Sequence, residues 1–123
     1  MGPERAIRTG ALLVAVAWMA VIFGLSSLPG SAVPGTYGSL AHFIEYAVLG
    51  AILLLSLPRA VRPWATLATA VAIASFYGIT DEFHQSFVPG RVPDVADWAV
   101  DTAGALAAVL VLEGVRRVAA KRQ

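Results

Sequence analysis

Both histidines and most of the acidic residues of this 123-residue chain fall into three short stretches that lie far apart in the sequence. Residues three or four positions apart share one face of an α-helix, so each stretch would place a polar stripe along a single helix face. The three stripes comprise His42, Glu45, Tyr46 and Leu49; Tyr77, Asp81, His84 and Gln85; and Asp94, Asp97, Asp101, Gly104 and Ala108.

These residue types are suited to proton transfer and to anion recognition. Neighbouring carboxylates hold protons with different strengths, so one can act as an acid and another as a base. Histidine exchanges protons near neutral pH, and the planar guanidinium of Arg91 matches a phosphate or a carboxylate. We therefore predict as catalytic candidates His42, Glu45, Asp81, Glu82, Asp97 and Asp101. The predicted substrate-binding residues are Tyr46, Tyr77, His84, Gln85 and Arg91.

A metal site is an alternative use of the same residues. His42 and Glu45, and likewise Asp81 and His84, place a histidine and a carboxylate one helical turn apart, and helix bundles build dinuclear sites from such pairs. Oxygen-rich ligands would suit Mg²⁺, Mn²⁺ or Zn²⁺. The chain contains no tight ligand motif, so the cofactor stays unknown at this point, with a divalent metal ion as one alternative.

Each polar group also has a purely structural interpretation. His42 and Glu45 are equally consistent with a hydrogen-bonded pair at a buried helix end. An adjacent acidic pair at a helix end, such as Asp81 and Glu82, is more commonly exposed at a membrane surface. Asp94 follows a proline and opens a predicted helix, which favours an N-cap. The functional interpretation rests on convergence, because unrelated structural groups would not collect on three helix faces at one level.

The composition points to a membrane. Apolar residues make up 58% of the chain and charged residues 14%, whereas a soluble domain averages about 45–50% and about 25%; the mean hydropathy is +0.72. These values argue against a disordered chain, a nucleic-acid-binding protein and an ordinary cytosolic enzyme. The absence of cysteine excludes disulfides, thiolate metal sites and a cysteine nucleophile.

We predict an all-α fold, a single domain over residues 1–123 formed by a four-helix transmembrane bundle. Crossing ~30 Å of hydrocarbon takes about 20 residues, and the predicted spans are residues 11–28, 40–57, 63–80 and 95–112. The second and fourth spans reach this length only when their polar N-terminal ends are included. A carboxylate at membrane depth costs about 2.5–3.5 kcal/mol, and such residues face the bundle interior and are candidates for function.

The basic residues predict the orientation, because Lys and Arg collect on the cytoplasmic side. Four alternating spans place the N-terminus, the loop between the second and third spans and the C-terminus on the same side of the membrane. Eight of the nine basic residues lie in these three segments: Arg5, Arg8, Arg59, Arg62, Arg116, Arg117, Lys121 and Arg122. Both termini are therefore expected to be cytoplasmic in a multi-pass protein of the cell membrane. The polar stripes and Arg91 would then face the extracytoplasmic side.

Four segments resemble the VanZ-like family of small bacterial membrane proteins: LSSLPG at 25–30, AHFIEYAVLG at 41–50, YGITDEFHQSF at 77–87 and PGRVPDVADWAVDTAG at 89–104. The positions that match the family pattern are His42, Tyr46, Asp81, Glu82, Gln85, Arg91, Asp97, Asp101 and Gly104. Ser39 stands where family members often carry Lys, and Asp101 stands where Asn is common. Any role that needs the lysine is therefore in doubt for this chain.

The resemblance implies a role in the cell envelope, since the family's named example is associated with resistance to the glycopeptide antibiotic teicoplanin. One hypothesis is an enzyme-like site that acts on a lipid-linked or cell-wall substrate. The alternative is a protein that binds or shields a lipid headgroup, a cell-wall precursor or the antibiotic, and a transporter or flippase fits less well. The expected partner is membrane lipid or a lipid-linked substrate and not nucleic acid, and an oligomer is left open.

Overall fold

The computed structural model describes residues 1–33 and 38–123, and this part of the chain contains four α-helices. They are α1 (Pro3–Ser26), α2 (Gly38–Ser56), α3 (Pro63–Gln85) and α4 (Val95–Lys121), with a short 3₁₀ turn at Gly30–Ala32. All four helices are long and apolar enough to cross a membrane. The predicted all-α four-helix fold is confirmed, and the helices indicate a multi-pass membrane protein.

The helices differ from the predicted spans mainly at their ends. α1 begins eight residues before the predicted span and stops at Ser26, two residues before its predicted end. Pro29 explains the early stop, because the residue before a proline avoids the helical conformation. α3 continues to Gln85 and α4 to Lys121. Hydropathy marks only the apolar part of a helix, whereas the hydrogen-bonded turns continue into polar sequence.

The helix starts follow local rules of capping. Pro3 and Pro63 stand at the beginning of α1 and α3, where the missing N–H costs no intrahelical hydrogen bond. The side chain of Asp94 accepts a hydrogen bond from the backbone N–H of Ala96 at 2.9 Å. The predicted N-cap at Asp94 is therefore confirmed.

Helix α2 lies at the centre of the bundle and packs against each of the other three helices. Its closest approach is to α4, where small residues let the backbones meet. Gly50 faces Ala105, and Gly104 faces the backbone of Phe43. Large apolar side chains such as Phe76 and Leu110 remain exposed on the outer faces, which indicates contact with lipid.

The alternating helices give the bundle two chemically different ends. At one end, named here the polar end, α1 and α3 finish and α2 and α4 begin. At the opposite end, named here the basic end, Arg59 and Arg116 flank a shared cavity and Arg117 pairs with Glu113 at 2.9 Å. Every charged residue of the three predicted stripes lies at the polar end.

Candidate functional site

The centre of the polar end is a buried pair formed by His42 of α2 and Asp101 of α4. The Nδ1–H of His42 donates to Asp101 Oδ1 at 2.7 Å. Asp101 is completely buried and His42 is 6% exposed. The second oxygen, Asp101 Oδ2, lies against Gly78 of α3, where an added Cβ would stand only 3.2 Å from it. The small residue on α3 therefore makes room for the carboxylate between three helices.

A second buried carboxylate, Asp81, joins α3 to the end of α1. The hydroxyl of Ser26 donates a hydrogen bond to Asp81 Oδ1, and Gln85 Nε2 lies 3.4 Å from the same hydroxyl. All three side chains are buried. Ser26 thus belongs to the site, although the amino-acid sequence alone did not identify it as a candidate.

The signal that could have identified Ser26 is its position in the chain. It occupies the last turn of α1, and α1 ends at the same level as the polar turn of α3. A serine three residues before the Pro-Gly pair that ends an uncharged span is therefore placed to meet Asp81.

Glu82, the third buried carboxylate, ties α3 to the start of α4. Its Oε2 accepts the backbone N–H of Asp94 at 2.9 Å. Several buried polar atoms at this end have no hydrogen-bond partner among the described residues: Tyr46 Oη, Asp81 Oδ2, Glu82 Oε1, His84 Nδ1 and Asp101 Oδ2. Most buried polar groups in native proteins are satisfied, so this concentration distinguishes the polar end from an ordinary packed core.

A cavity of about 140 Å³ adjoins these groups. It lies between the last turn of α1, the first turns of α2 and the loop after α3. Its lining residues are Leu25, Ser26, Leu28, Val33, Gly38, Ala41, His42, Glu45, Gln85 and Arg91. The cavity therefore brings together four of the predicted site residues: His42, Glu45, Gln85 and Arg91.

Arg91 does not pair with an acidic side chain in the described ranges. Its Nε and Nη2 donate to the backbone carbonyls of Leu28 at 3.0 Å and Leu25 at 3.2 Å. Leu25 lies in the last turn of α1 and Leu28 lies just beyond the end of the helix, where a cation also meets the negative end of the helix dipole. The guanidinium therefore fixes the loop after α3 to the end of α1 and forms one wall of the cavity.

The loop that carries Arg91 is held by a close backbone contact. The N–H of Gly30 donates to the carbonyl of Pro89 at 3.0 Å. Gly90 has a φ of +75° and packs against the Gly30 backbone, a conformation and a proximity that favour glycine. The Pro29-Gly30 and Pro89-Gly90 segments thus meet and shape the rim of the cavity.

The remaining candidates contact the bundle rather than the cavity. The hydroxyl of Tyr77 donates to the carbonyl of Met19 at 2.6 Å. The ring of His84 stacks on Phe23, with centroids 4.1 Å apart. Asp97 is half-buried and has no side-chain hydrogen bond within the described part of the chain. The observed contacts of Tyr77 and His84, a hydrogen bond and a ring stack, both join α3 to α1.

The arrangement offers two kinds of chemistry. A carboxylate that holds one imidazole nitrogen fixes the orientation and tautomer of the ring, which is the usual support for a histidine in proton transfer. Alternatively, His42, Glu82 and Asp101 each offer a ligand atom, and these atoms lie within 4.8 Å of one another. These three residues could hold a metal ion. They differ from the two pairs expected from spacing, because Glu82 joins the group in place of Glu45.

Comparisons with known proteins identify a family and nothing more specific. No curated protein and no solved structure matched the chain. A family model described as VanZ/LLP1 matches residues 9–116. The matched segment includes all residues of the polar end described above and covers most of the chain. The chain therefore belongs to the VanZ/LLP1 family.

Proposed function

We propose that the protein is a cell-envelope membrane protein whose polar end binds the polar headgroup of a lipid-linked or cell-wall substrate. One observation carries the proposal: buried polar side chains from α1, α2, α3 and α4 converge beside a cavity that adjoins the helix ends. A substrate that is itself anchored in the bilayer would meet this cavity without leaving the membrane.

The unsatisfied polar atoms favour a binding role over a structural one. Carboxylates at membrane depth are costly, and a network whose purpose is stability would use its hydrogen-bonding atoms among its own members. Here Asp81, Glu82 and Asp101 each keep one buried oxygen without a partner among the described residues. A ligand that donates hydrogen bonds to these oxygens would lower the cost of burying them.

The shape of the surroundings favours an amphiphilic substrate. The polar cavity of about 140 Å³ has room for a headgroup but not for a whole lipid. A larger cavity of about 320 Å³ lies between α3 and the start of α4; its surface is almost wholly apolar, and its lining residues are Ile79, Glu82, Pro93, Asp94, Val95 and Trp98. An acyl or prenyl chain fits such a surface.

Two chemical roles are consistent with headgroup binding. If a bond is made or broken, His42 would move the proton, held in place by Asp101 at 2.7 Å, and Glu45 would supply a second carboxylate at the cavity. If no bond is made or broken, the cavity would shield the headgroup, or it would bind an antibiotic that competes for the same headgroup. The family resemblance supports the envelope setting and a link to teicoplanin, and the distribution of basic residues supports an extracytoplasmic polar end.

The proposal is tested by equilibrium binding of defined probes to the purified full chain in nanodiscs. The probes are a polyprenyl-pyrophosphate-linked cell-wall precursor, an anionic phospholipid and teicoplanin, and product analysis shows whether any probe is turned over. Arg91→Lys should weaken binding at least tenfold, because an ammonium cannot make both hydrogen bonds to the carbonyls of Leu25 and Leu28 that hold this wall of the cavity in place. The matched control is Arg59→Lys at the basic end, which should bind like the wild type. Equal binding by all three proteins would contradict the proposal.

A further inference from the structure

Three buried residues whose ligand atoms lie close together come from three different helices. His42 belongs to α2, Glu82 to α3 and Asp101 to α4. Their ligand atoms lie within 4.8 Å of one another, and the residues are 6%, 9% and 0% exposed, respectively. They are therefore brought together by the tertiary fold and not by spacing along one helix.

The carboxylates of this group have unused ligand capacity. Glu82 Oε1 and Asp101 Oδ2 are buried and have no hydrogen-bond partner within residues 1–33 and 38–123. The other oxygen of each group is already engaged, with the N–H of Asp94 and with His42. Two buried carboxylates this close repel each other when both are ionised, and a divalent cation bound between them would remove that repulsion.

The wider charge distribution points the same way. The polar end carries six acidic residues: Glu45, Asp81, Glu82, Asp94, Asp97 and Asp101. Its single arginine, Arg91, has two of its N–H groups bonded to backbone carbonyls. Such an excess of negative charge attracts cations and opposes the approach of an anion.

We propose that His42, Glu82 and Asp101 bind one divalent transition-metal ion of the Zn²⁺ or Mn²⁺ class. An imidazole nitrogen with two carboxylate oxygens is a mixed donor set that suits these ions better than Ca²⁺. Bonds of about 2.0–2.2 Å place the ligand atoms of a tetrahedral site roughly 3.3–3.6 Å apart. His42 Nδ1 and Asp101 Oδ1 lie 2.7 Å apart, so this pair would open by about 0.6–0.9 Å as the ion replaces the proton between them. The flexible side chain of Glu82 would move in to complete the site.

The metal ion explains how an acidic site would hold an anionic headgroup. Three protein ligands leave a coordination position open, as in metal sites that bind substrate. His42 contributes both to this group and to the lining of the cavity, so the ion and the cavity adjoin. This consequence rests on the function proposed above, whereas binding of the ion alone does not depend on any substrate.

Binding is measured with Zn²⁺ and Mn²⁺ alone, added to the chelator-treated full chain in detergent, by calorimetry and by elemental analysis after dialysis. We expect one ion per chain in the wild type. Glu82→Gln and Asp101→Asn should each weaken binding at least tenfold, since even residues that only support metal ligands change affinity 10–100-fold. Asp94→Asn is the matched control: it removes one negative charge from the same end and keeps an N-cap residue, so its affinity should stay within about twofold.

Circular dichroism and gel filtration show whether each variant is folded. Glu82→Gln keeps an oxygen for the N–H of Asp94, so it decides the matter even if Asp101→Asn fails to fold. Absence of stoichiometric binding in the wild type, or equal affinity of Glu82→Gln and Asp94→Asn, would overturn the metal site. If headgroup probes bind while neither ion does, the metal site is wrong and the proposed function stands. If an ion binds but no headgroup probe does, the metal site stands and the proposed function is wrong.

Discussion

Replacing Gly104 with alanine should separate α2 from α4 at the level of the His42–Asp101 pair. Gly104 is buried one helical turn after Asp101 on α4, and it faces the backbone of Phe43, the residue after His42. An added Cβ would lie 3.1 Å from the carbonyl carbon of Phe43 and 3.2 Å from its Cα, and its closest neighbour would be the carbonyl oxygen. All three neighbours are backbone atoms, so no side chain can rotate away.

The structure sets the size of the effect. Carbon atoms pack best at about 3.5–4.0 Å, so restoring ordinary contact needs a separation of the helices on the order of 1 Å. The same movement would lengthen the His42–Asp101 hydrogen bond from 2.7 Å beyond hydrogen-bonding distance. Overpacking costs about 1–3 kcal/mol and the loss of a hydrogen bond to a charged group about 1.5–3 kcal/mol. Alanine also has a higher helix propensity than glycine by about 1 kcal/mol, so we expect the free energy of unfolding to fall by about 1.5–5 kcal/mol.

Thermal unfolding of the two purified variants Gly104→Ala and Gly114→Ala checks this expectation. Gly114 lies on the same helix, and a Cβ there would meet nothing within 4 Å. Gly114→Ala should therefore be as stable as the wild type or more stable, while Gly104→Ala unfolds at a lower temperature and loses binding at the polar end. If both variants are equally stable, the close approach of α2 and α4 is not what positions the pair.

Three further predictions concern the Ser26–Asp81 hydrogen bond, the N-cap of α4 and the orientation of the bundle. Ser26→Ala removes the hydroxyl that donates to Asp81 and leaves a buried carboxylate oxygen unpaired, so the free energy of unfolding should fall by about 1–3 kcal/mol in chemical denaturation. Asp94→Ala should cost about 1 kcal/mol in the same assay because α4 loses its N-cap, whereas Asp94→Asn should cost little; equal costs would argue against the cap. In spheroplasts, an impermeant thiol reagent should label Val92→Cys and not Val61→Cys, two exposed positions at opposite ends of a chain without cysteine, and the reverse pattern would invert the orientation.

The helices and the level of the polar residues could be predicted because both follow from local rules. Apolar runs of spanning length fix the number of helices, and alternation of direction then places His42, Asp81 and Asp101 at one end. Asp94 was recognisable as a cap from its position after a proline. These inferences need only spacing and the thickness of a bilayer.

The partners of each side chain could not be predicted, because they depend on how the helices rotate and approach one another. Spacing along α2 pairs His42 with Glu45, yet the structure pairs His42 with Asp101 of α4. Likewise His84 stacks on Phe23 of α1 instead of joining Asp81. Helical periodicity gives the face of a helix but not the neighbour that this face meets.

Arg91 illustrates the same limit for a single charge. Its planar guanidinium suggested a contact with a phosphate or a carboxylate of a ligand. In the structure it bonds to the carbonyls of Leu25 and Leu28, because the Pro-Gly turn after α1 and the Pro-Gly turn after α3 pack together. Backbone acceptors at a helix end carry no signature in the amino-acid sequence.

The most direct measurement is site-specific photo-crosslinking in living cells from position 41, where an exposed alanine lines the polar cavity. A photoreactive residue at Ala68, exposed on α3 toward the other end, serves as the comparison for lipid that merely surrounds the helices. If the polar end binds the headgroup of a lipid-linked or cell-wall substrate, position 41 will capture such a molecule in addition to bulk phospholipid, and position 68 will not. Capture of the same bulk phospholipids from both positions would contradict the proposal that the polar end binds such a headgroup.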